Sequence, residues 1–407
     1  MRLPVSALPM LVGMTLTVAP AAAQTSDAAL ATRLDAAIEK AIADKRIVGT
    51  VVLVARDGKI VYHRAAGLAD REAGTPMRED AIFRYASMTK PFTSIAFMRL
   101  VEQGRVKLSD PVTKYLPDFT PRMADGTTPT ITLRQLLTHS AGLSYRFLEP
   151  KGSVYDRLDI SDGLDQPGLS LDANLKRLVQ APLSYAPGTS FRYSLGIDVI
   201  GAVIEKVTGK SLPVTVGQVV TTPLRLRDAR FAVTDMTRLV TPYADGKPEP
   251  VRMTDGMYVP LYNVGAIFAP SRILDPKSYP SGGGGLAGTA SEMLRMLETV
   301  RAGGGPMLKP ATVALMTQDQ LGPQAQSMGP GWGFGYGWGV LADPAAAGSP
   351  QSKGTYAWGG AYGHTWFVDP VQRLTVVEFT NTAFEGINGK YPVEIRDAVY
   401  GVTVPAK

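Results

Sequence analysis

The stretch Phe83-Arg84-Tyr85-Ala86-Ser87-Met88-Thr89-Lys90-Pro91-Phe92-Thr93-Ser94 decides how the chain is read. It reads as a short strand end running into a helix, with a serine and a lysine three residues apart at the join. That spacing sets both side chains on one face of a helical turn. The serine falls at the helix N-terminus, where unpaired N–H groups and the helix dipole favour negative charge. Pro91 fits a first turn, because proline there loses no intrahelical hydrogen bond. The apolar run from Ile95 to Val101 is long enough to bury the helix. A serine hydroxyl is a weak nucleophile until something takes its proton, and an adjacent amine of lowered pKa can do so. Ser87 is therefore the candidate nucleophile and Lys90 its activating partner. A serine N-cap with a surface lysine one turn on would carry the same letters. Of the chain's lysines, however, only Lys90 has a serine three positions before it, and other stretches supply partners for the pair.

The chain has 407 residues, 45% hydrophobic and 19% charged, as in a globular enzyme with a large core. It has room for two domains, or for one domain with a big insertion. Met1-Arg2 gives a positive start, Leu3 to Val18 is apolar, and Ala21-Ala22-Ala23 offers a small-residue cleavage site before Gln24. Residues 1–23 are expected to be a secretory signal peptide and stand outside the fold. A membrane anchor is the alternative, but the run is short and interrupted by Pro4, Pro9 and Pro20. The expected product is periplasmic or secreted, with no integral membrane span after cleavage. Losing Arg2 lowers the net charge from +6 by one. The remainder is mildly basic without a concentrated run, so no nucleic-acid partner is implied. Absence of cysteine excludes thiolate nucleophiles and thiolate metal sites. His63, His139 and His364 lie far apart with no metal-binding spacing, so no metal or other cofactor is expected.

In chain order, residues 28–44 carry apolar positions at helical spacing, from Leu30 to Ile42. Two β-rich runs, 49–56 and 59–63, flank Asp57-Gly58 and predict a hairpin with His63 on its second strand. Residues 131–139 predict a short helix stopped by Ser140-Ala141-Gly142, with His139 capping carbonyls at its end. Residues 145–190 are irregular, with an aromatic cluster at Tyr145, Phe147 and Tyr155, and suit the lining or cover of a pocket. Tyr193 sits at the bend before a helix over 197–209. From there its hydroxyl could point into a cleft, where a lysine ammonium alongside would let it titrate low enough to act as a base; a buried, satisfied tyrosine is the other reading. Residues 211–280 are loop-rich. The run Ser281-Gly282-Gly283-Gly284-Gly285 lacks the lysine and the βαβ context of a phosphate loop. It suits close backbone packing before a capped helix over 290–300. Residues 331–339 alternate glycine with aromatics and predict one strand with its aromatics on a single face. Residues 355–381 predict antiparallel strands with a turn at Asp369-Pro370. Paired Gly359 and Gly360 let another backbone or a ligand come close, so a strand N–H there and the Ser87 N–H are candidate oxyanion donors.

Ser87-Met88-Thr89-Lys90, Tyr193-Ser194-Leu195 and Trp358-Gly359-Gly360 stand in the order and rough spacing of the serine β-lactamase and penicillin-binding-protein superfamily. The flanking Leu136-Leu137-Thr138-His139-Ser140-Ala141-Gly142-Leu143 agrees. Over nearly the whole mature chain the sequence most resembles the family VIII carboxylesterases, which are similar to class C β-lactamases. The resemblance implies Ser87 as the acylated nucleophile and Lys90 as the group that lowers its pKa or shuttles its proton. It implies Tyr193 as general base and later acid, and the Ser87 and Ala361 N–H groups as the oxyanion hole. The implied fold is α/β (α+β): an antiparallel sheet flanked by helices on both faces, with an inserted mostly helical domain and the site at the junction. The corresponding division is 24–86 with 281–407 for the sheet domain and 87–280 for the insert.

Two departures shape the functional expectation. A class C β-lactamase would have Tyr-x-Asn and Lys-Thr-Gly where this chain has Leu195 and Trp358-Gly359-Gly360. Loss of that lysine removes a carboxylate-binding charge and favours neutral esters over β-lactams and D-alanyl peptides. Trp358 offers an apolar wall instead. Gly359, Gly360, Tyr145 and His364 complete the expected substrate contacts; for His364 a hydrogen bond across the sheet is the other reading. The expected function is an exported serine hydrolase of short- to medium-chain carboxylic esters, whose partner is a small-molecule ester. The alternatives are a β-lactamase or D-alanyl peptidase, and a penicillin-binding module that acylates without turning over.

Overall fold

The computed structural model describes residues 20–261, 264–322 and 326–402; the first nineteen residues of the expected signal peptide lie outside them. Helix α1 (Pro20–Ala43) covers the expected helical stretch, begins eight residues before it and inside the expected signal peptide, and buries Leu30, Leu34 and Ile38. Strands β1 (Gly49–Arg56) and β2 (Lys59–Asp70) make the expected hairpin. Its turn needs positive φ at both central residues, 55° at Asp57 and 79° at Gly58, which Asp-Gly tolerates. Two short strands follow, β3 (Thr75–Pro76) and β4 (Phe83–Arg84), and then α2 (Lys90–Glu102).

Helices α3 (Leu133–Leu137), α4 (Val154–Arg157), α5 (Leu171–Leu178), α6 (Gly196–Thr208) and α7 (Leu212–Val216) occupy the middle of the chain. The loop-rich region beyond them holds two small hairpins, β5 (Tyr243–Ala244) with β6 (Val251–Arg252), and β7 (Met257–Leu261) with β8 (Val264–Phe268). Strand β9 (Ala287–Gly288) pairs with β4, so the segment entering Ser87 is tied to the one leaving the glycine run. Helices α8 (Ala290–Arg301) and α9 (Pro310–Met316) precede β10 (Trp332–Phe334), β11 (Gly339–Leu341), β12 (Tyr356–Gly360), β13 (His364–Asp369) and β14 (Leu374–Thr380). The chain ends in α10 (Glu385–Asn388) and α11 (Tyr391–Tyr400).

The main sheet has eight strands in the order β10-β11-β12-β13-β14-β1-β2-β3. Antiparallel pairing of β1 with β14, from Thr50 opposite Thr380 to Arg56 opposite Leu374, joins the two ends of the chain. Both faces are covered, so these strands read as nearly continuous apolar runs. Val52 and Val54 point into a core with α1 and α11, while Val51 and Leu53 point into the larger core with α2 and α8. Among the described residues no helix is long and apolar enough to cross a membrane.

The glycine–aromatic segment 331–339 departs from the single strand expected of it. It is a hairpin, β10 and β11, bent at Gly337 with φ 108°. The aromatics do not share a face: Trp332 packs in the smaller core, whereas Phe334, Tyr336 and Trp338 pack in the larger one. Gly337 permits the bend because a Cβ there would fall 2.6 Å from Ser94 Oγ on α2.

The paired glycines of β12 behave as their composition suggests, with a backbone as the close neighbour. A Cβ on Gly360 would strike the Tyr85 carbonyl oxygen and approach Met88 Cγ at 3.1 Å, so β12 lies directly against the turn that carries Ser87. Gly360→Ala is expected to push that turn away, lowering stability by about 1–3 kcal/mol in thermal denaturation.

Candidate active site

Ser87 lies in a 3₁₀ turn, Ala86–Thr89, that leads directly into α2. Ala86 adopts φ 47°, a left-handed conformation that costs a residue with a Cβ about 1–2 kcal/mol. The pairing of β4 with β9 and the contact with β12 hold this turn in place. Neither the 3₁₀ turn nor α2 is capped by a side chain, so Ser87 is not an N-cap. Its hydroxyl is instead placed between two partners. The Tyr193 hydroxyl is 2.6 Å from Ser87 Oγ, and Lys90 Nζ is 3.2 Å from it on the other side. Lys90 Nζ also donates to the Gly283 carbonyl at 2.9 Å and lies over the rings of Tyr193 and Tyr145, at 4.5 and 5.2 Å from their centroids.

Burial sets the protonation of this group. Lys90 is fully buried, and desolvation lowers its pKa to about 7 against the opposing pull of the Asp198 and Asp162 carboxylates. Tyr193 moves the other way. Burial raises its pKa above the ordinary phenol value, although hydrogen bonding with Ser87, Trp358 and Tyr145 opposes the rise. Both shifts run against a tyrosine that titrates low beside a lysine ammonium. Both groups leave water together, so the neutral amine and neutral phenol win over the ion pair. Burial thus brings Lys90 close to losing its proton near neutral pH and keeps the proton on Tyr193.

Aromatic side chains wall the group. Tyr193 packs against Trp358 and Tyr145 with ring centroids 5.2 and 4.9 Å away, and Phe147 stacks on Tyr145 at 4.8 Å. Phe334 meets Trp358 edge-on at 5.2 Å. Ala361 follows β12 in the tight turn closed by the Gly363 N–H on the Gly360 carbonyl. No hydrogen bond among the described residues uses the Ala361 N–H. Gly359 is held elsewhere: a Cβ on it would fall 2.7 Å from Ile387. Beside Ala86 and Ala361 an apolar cluster from β7 and β8, including Val259, Ala266 and Phe268, extends the wall.

Two histidine placements, His364 and His139, differ from the sequence reading, and a third agrees with it. His364 does not reach Ser87, Lys90 or Tyr193. It is buried, its Nε2 lies 2.9 Å from the Arg84 carbonyl, and it packs between Phe83 and Phe379. Of its two readings the bond across to a neighbouring strand is the one observed, and burial lowers its pKa to about 4. His139 does not cap carbonyls of α3. Its φ of 54° turns it toward α6, where Nδ1 accepts the Ser194 N–H at 3.2 Å, and its ring meets Tyr193 edge-on at 4.8 Å. Burial holds it neutral, well below its usual pKa. His63 stays on β2, half-buried, with Glu79 3.4 Å away. The contributions of Phe334 and of β7 and β8 were not legible, because contacts between segments far apart in sequence leave no local pattern.

Comparisons with known proteins place the chain in a family. A profile of the Beta-lactamase family matches residues 34–399. The chain belongs to that family. It is 52% identical over 385 residues to the esterase EstB of Burkholderia gladioli, covering 94% of this chain and 98% of that one. The structure of EstCE1, described as a hydrolase with promiscuous acyltransferase activity, superposes with a TM-score of 0.91 at 48% identity, covering 93% of this chain and 100% of the other. The simvastatin synthase LovD of Aspergillus terreus (LovD6 mutant) shares the fold alone, at 22% identity and a TM-score of 0.73, over 92% of this chain and 97% of that one. The fold is thus the β-lactamase/transpeptidase-like one, an antiparallel sheet flanked by helices.

Within this family fold His139 fixes the bend that carries Tyr193. His139→Ala leaves the buried Ser194 N–H without an acceptor and should cost about 1–3 kcal/mol of stability in chemical denaturation. Unchanged stability would show that His139 does not hold this bend.

Proposed function

We propose that this chain is an exported serine carboxylesterase that cleaves neutral short- to medium-chain esters through an acyl-Ser87 intermediate. The observation that carries this reading is the Ser87 hydroxyl held between Tyr193, at 2.6 Å, and the buried Lys90 amine, at 3.2 Å. Similarity to an esterase over 94% of the chain supports it. Neutral Lys90 takes the Ser87 proton as Oγ bonds to the ester carbonyl carbon. The Ser87 and Ala361 N–H groups receive the oxyanion. Collapse of the tetrahedral intermediate breaks the bond to the alcohol, whose oxygen takes the Tyr193 proton. The Lys90 ammonium returns a proton to Tyr193, so that the serine proton leaves, in net, with the alcohol. Water then repeats the sequence on the acyl-enzyme, releasing the acid and restoring Ser87.

Substrate charge follows from the wall. Trp358, backed by the buried Phe334, presents hydrocarbon where a charged substrate would need a cation, and Phe147 with Ala361 continues that surface. A carboxylate placed there would lose water without gaining a partner.

Hydrolysis of a 4-nitrophenyl ester series beside a chromogenic cephalosporin, by wild type and Ser87→Ala, tests the reading. Short esters should turn over in steady state, and Ser87→Ala should lower kcat at least about 1,000-fold. Ester turnover surviving in Ser87→Ala, cephalosporin turnover above ester turnover, or a single burst without turnover would each contradict it. Because Lys90 must be neutral to accept a proton, kcat/KM should rise with pH through about 7. The exported product should begin at Gln24, read by N-terminal sequencing.

A further inference from the structure

The glycine run 281–285 has no part in the steps above, yet it joins a buried carboxylate to the reactive amine. Asp198 stands in the first turn of α6, five residues beyond Tyr193, and is buried. Its Oδ1 accepts the Ser281 hydroxyl at 2.6 Å. Its Oδ2 is equally buried and lies against the Gly283 backbone without a hydrogen bond of good geometry. A Cβ on Gly283 would fall 2.5 Å from that oxygen and 2.9 Å from the Tyr145 hydroxyl, so only glycine fits. The same Gly283 offers its carbonyl to Lys90 Nζ at 2.9 Å. Gly283 therefore lies between the amine, whose N–H its carbonyl accepts, and a buried carboxylate oxygen that no side chain among the described residues bonds. A buried polar atom left this way is costly unless a charge nearby uses it.

We propose that Asp198 is a positioning residue for the reaction at Ser87: its carboxylate, oriented by Ser281, stabilises the ammonium that forms on Lys90 when Ser87 gives up its proton. The inference rests on the proposed esterase reading and assigns a role to a residue that touches neither the ester nor Ser87. Coulomb attraction between two buried groups is far stronger than between the same groups in solvent. It acts on the ammonium and not on the neutral amine, so it favours the step that makes charge.

Of the groups around the pair, Asp198 acts on Lys90 most strongly, with Asp162 second. Lys90 also faces Tyr145, Tyr193, His139 and Asp162. Burial keeps the two phenols and the imidazole uncharged. Both Asp162 oxygens are occupied by the Arg146 and Phe147 N–H groups, and burial raises its pKa to about 8. Asp198 faces Tyr279 and Arg272 as well. Arg272 is spent on the Asp165 and Tyr279 carbonyls. Burial raises the Asp198 pKa too, and the Ser281 hydrogen bond and the Lys90 charge oppose that rise.

The test is kcat and KM for a 4-nitrophenyl ester from about pH 5 to about pH 9, with wild type, Asp198→Asn and Ser281→Ala, each checked for thermal stability. Removing the carboxylate makes the ammonium harder to form. In Asp198→Asn the acidic limb of kcat/KM should therefore move down by about one pH unit, and plateau kcat should fall roughly 10- to 100-fold with KM little changed. Ser281→Ala should shift the limb in the same direction by less, and it decides the matter if Asp198→Asn does not fold. A limb left in place, whatever happens to kcat, overturns the role of Asp198, because loss of a charge that stabilises the Lys90 ammonium must move the limb and loss of a merely structural residue would not. A wild-type profile with no limb near neutral pH would overturn this inference and the esterase mechanism together.

Discussion

A single amine taken out of water governs the architecture. Lys90 Nζ sits in a buried space bonded to Ser87 Oγ and to the Gly283 carbonyl. An ammonium there would be poorly solvated, so the resting group is held near the point of losing its proton. That requires walls on every side. Helix α2 supplies the residue, α6 supplies the Tyr193 bend and Asp198, and the glycine run closes the gap with bare backbone. Strand β12 approaches closely enough to support the serine turn because Gly360 carries no side chain.

The strain at Ala86 belongs to the same construction. A left-handed alanine just before the nucleophile persists only where its surroundings over-determine it. Here β4 is fixed by pairing with β9, by the Tyr85 hydroxyl on the Thr289 carbonyl at 2.7 Å, and by His364 at the Arg84 carbonyl. His139 does the equivalent for Tyr193 from the other side. Both histidines are thus pegs for the two segments that meet at Ser87, and burial keeps both neutral.

Much of this was legible in the sequence, for reasons that differ by element. The Asp57-Gly58 hairpin, α1 and α6 carry local signals, namely turn chemistry and a 3.6-residue period. Ser87 and Lys90 share one turn, so their meeting is itself a local property. Tyr193 could be placed at a bend, but its 2.6 Å approach to Ser87 depends on packing between segments 106 residues apart. The direction of the protonation shifts was not legible for a similar reason: an exposed lysine would lower a neighbouring phenol, whereas burial of both groups pushes Lys90 down and Tyr193 up. The hairpin at Gly337 and the targets of His139 and His364 are set by tertiary contacts with no periodic trace. The glycine run was correctly read as close packing, while what it packs between, α2 and α6, was not visible.

The central claim is that burial holds the Lys90 amine near the point of losing its proton at neutral pH. Its most direct measurement is a ¹⁵N NMR titration of protein labelled at lysine Nζ, with the Lys90 signal assigned by its absence in Lys90→Arg. A midpoint near 7, well below the other lysines, is the result this account predicts. A midpoint above about 10 would contradict it, because Lys90 would then be an ammonium that cannot take the Ser87 proton.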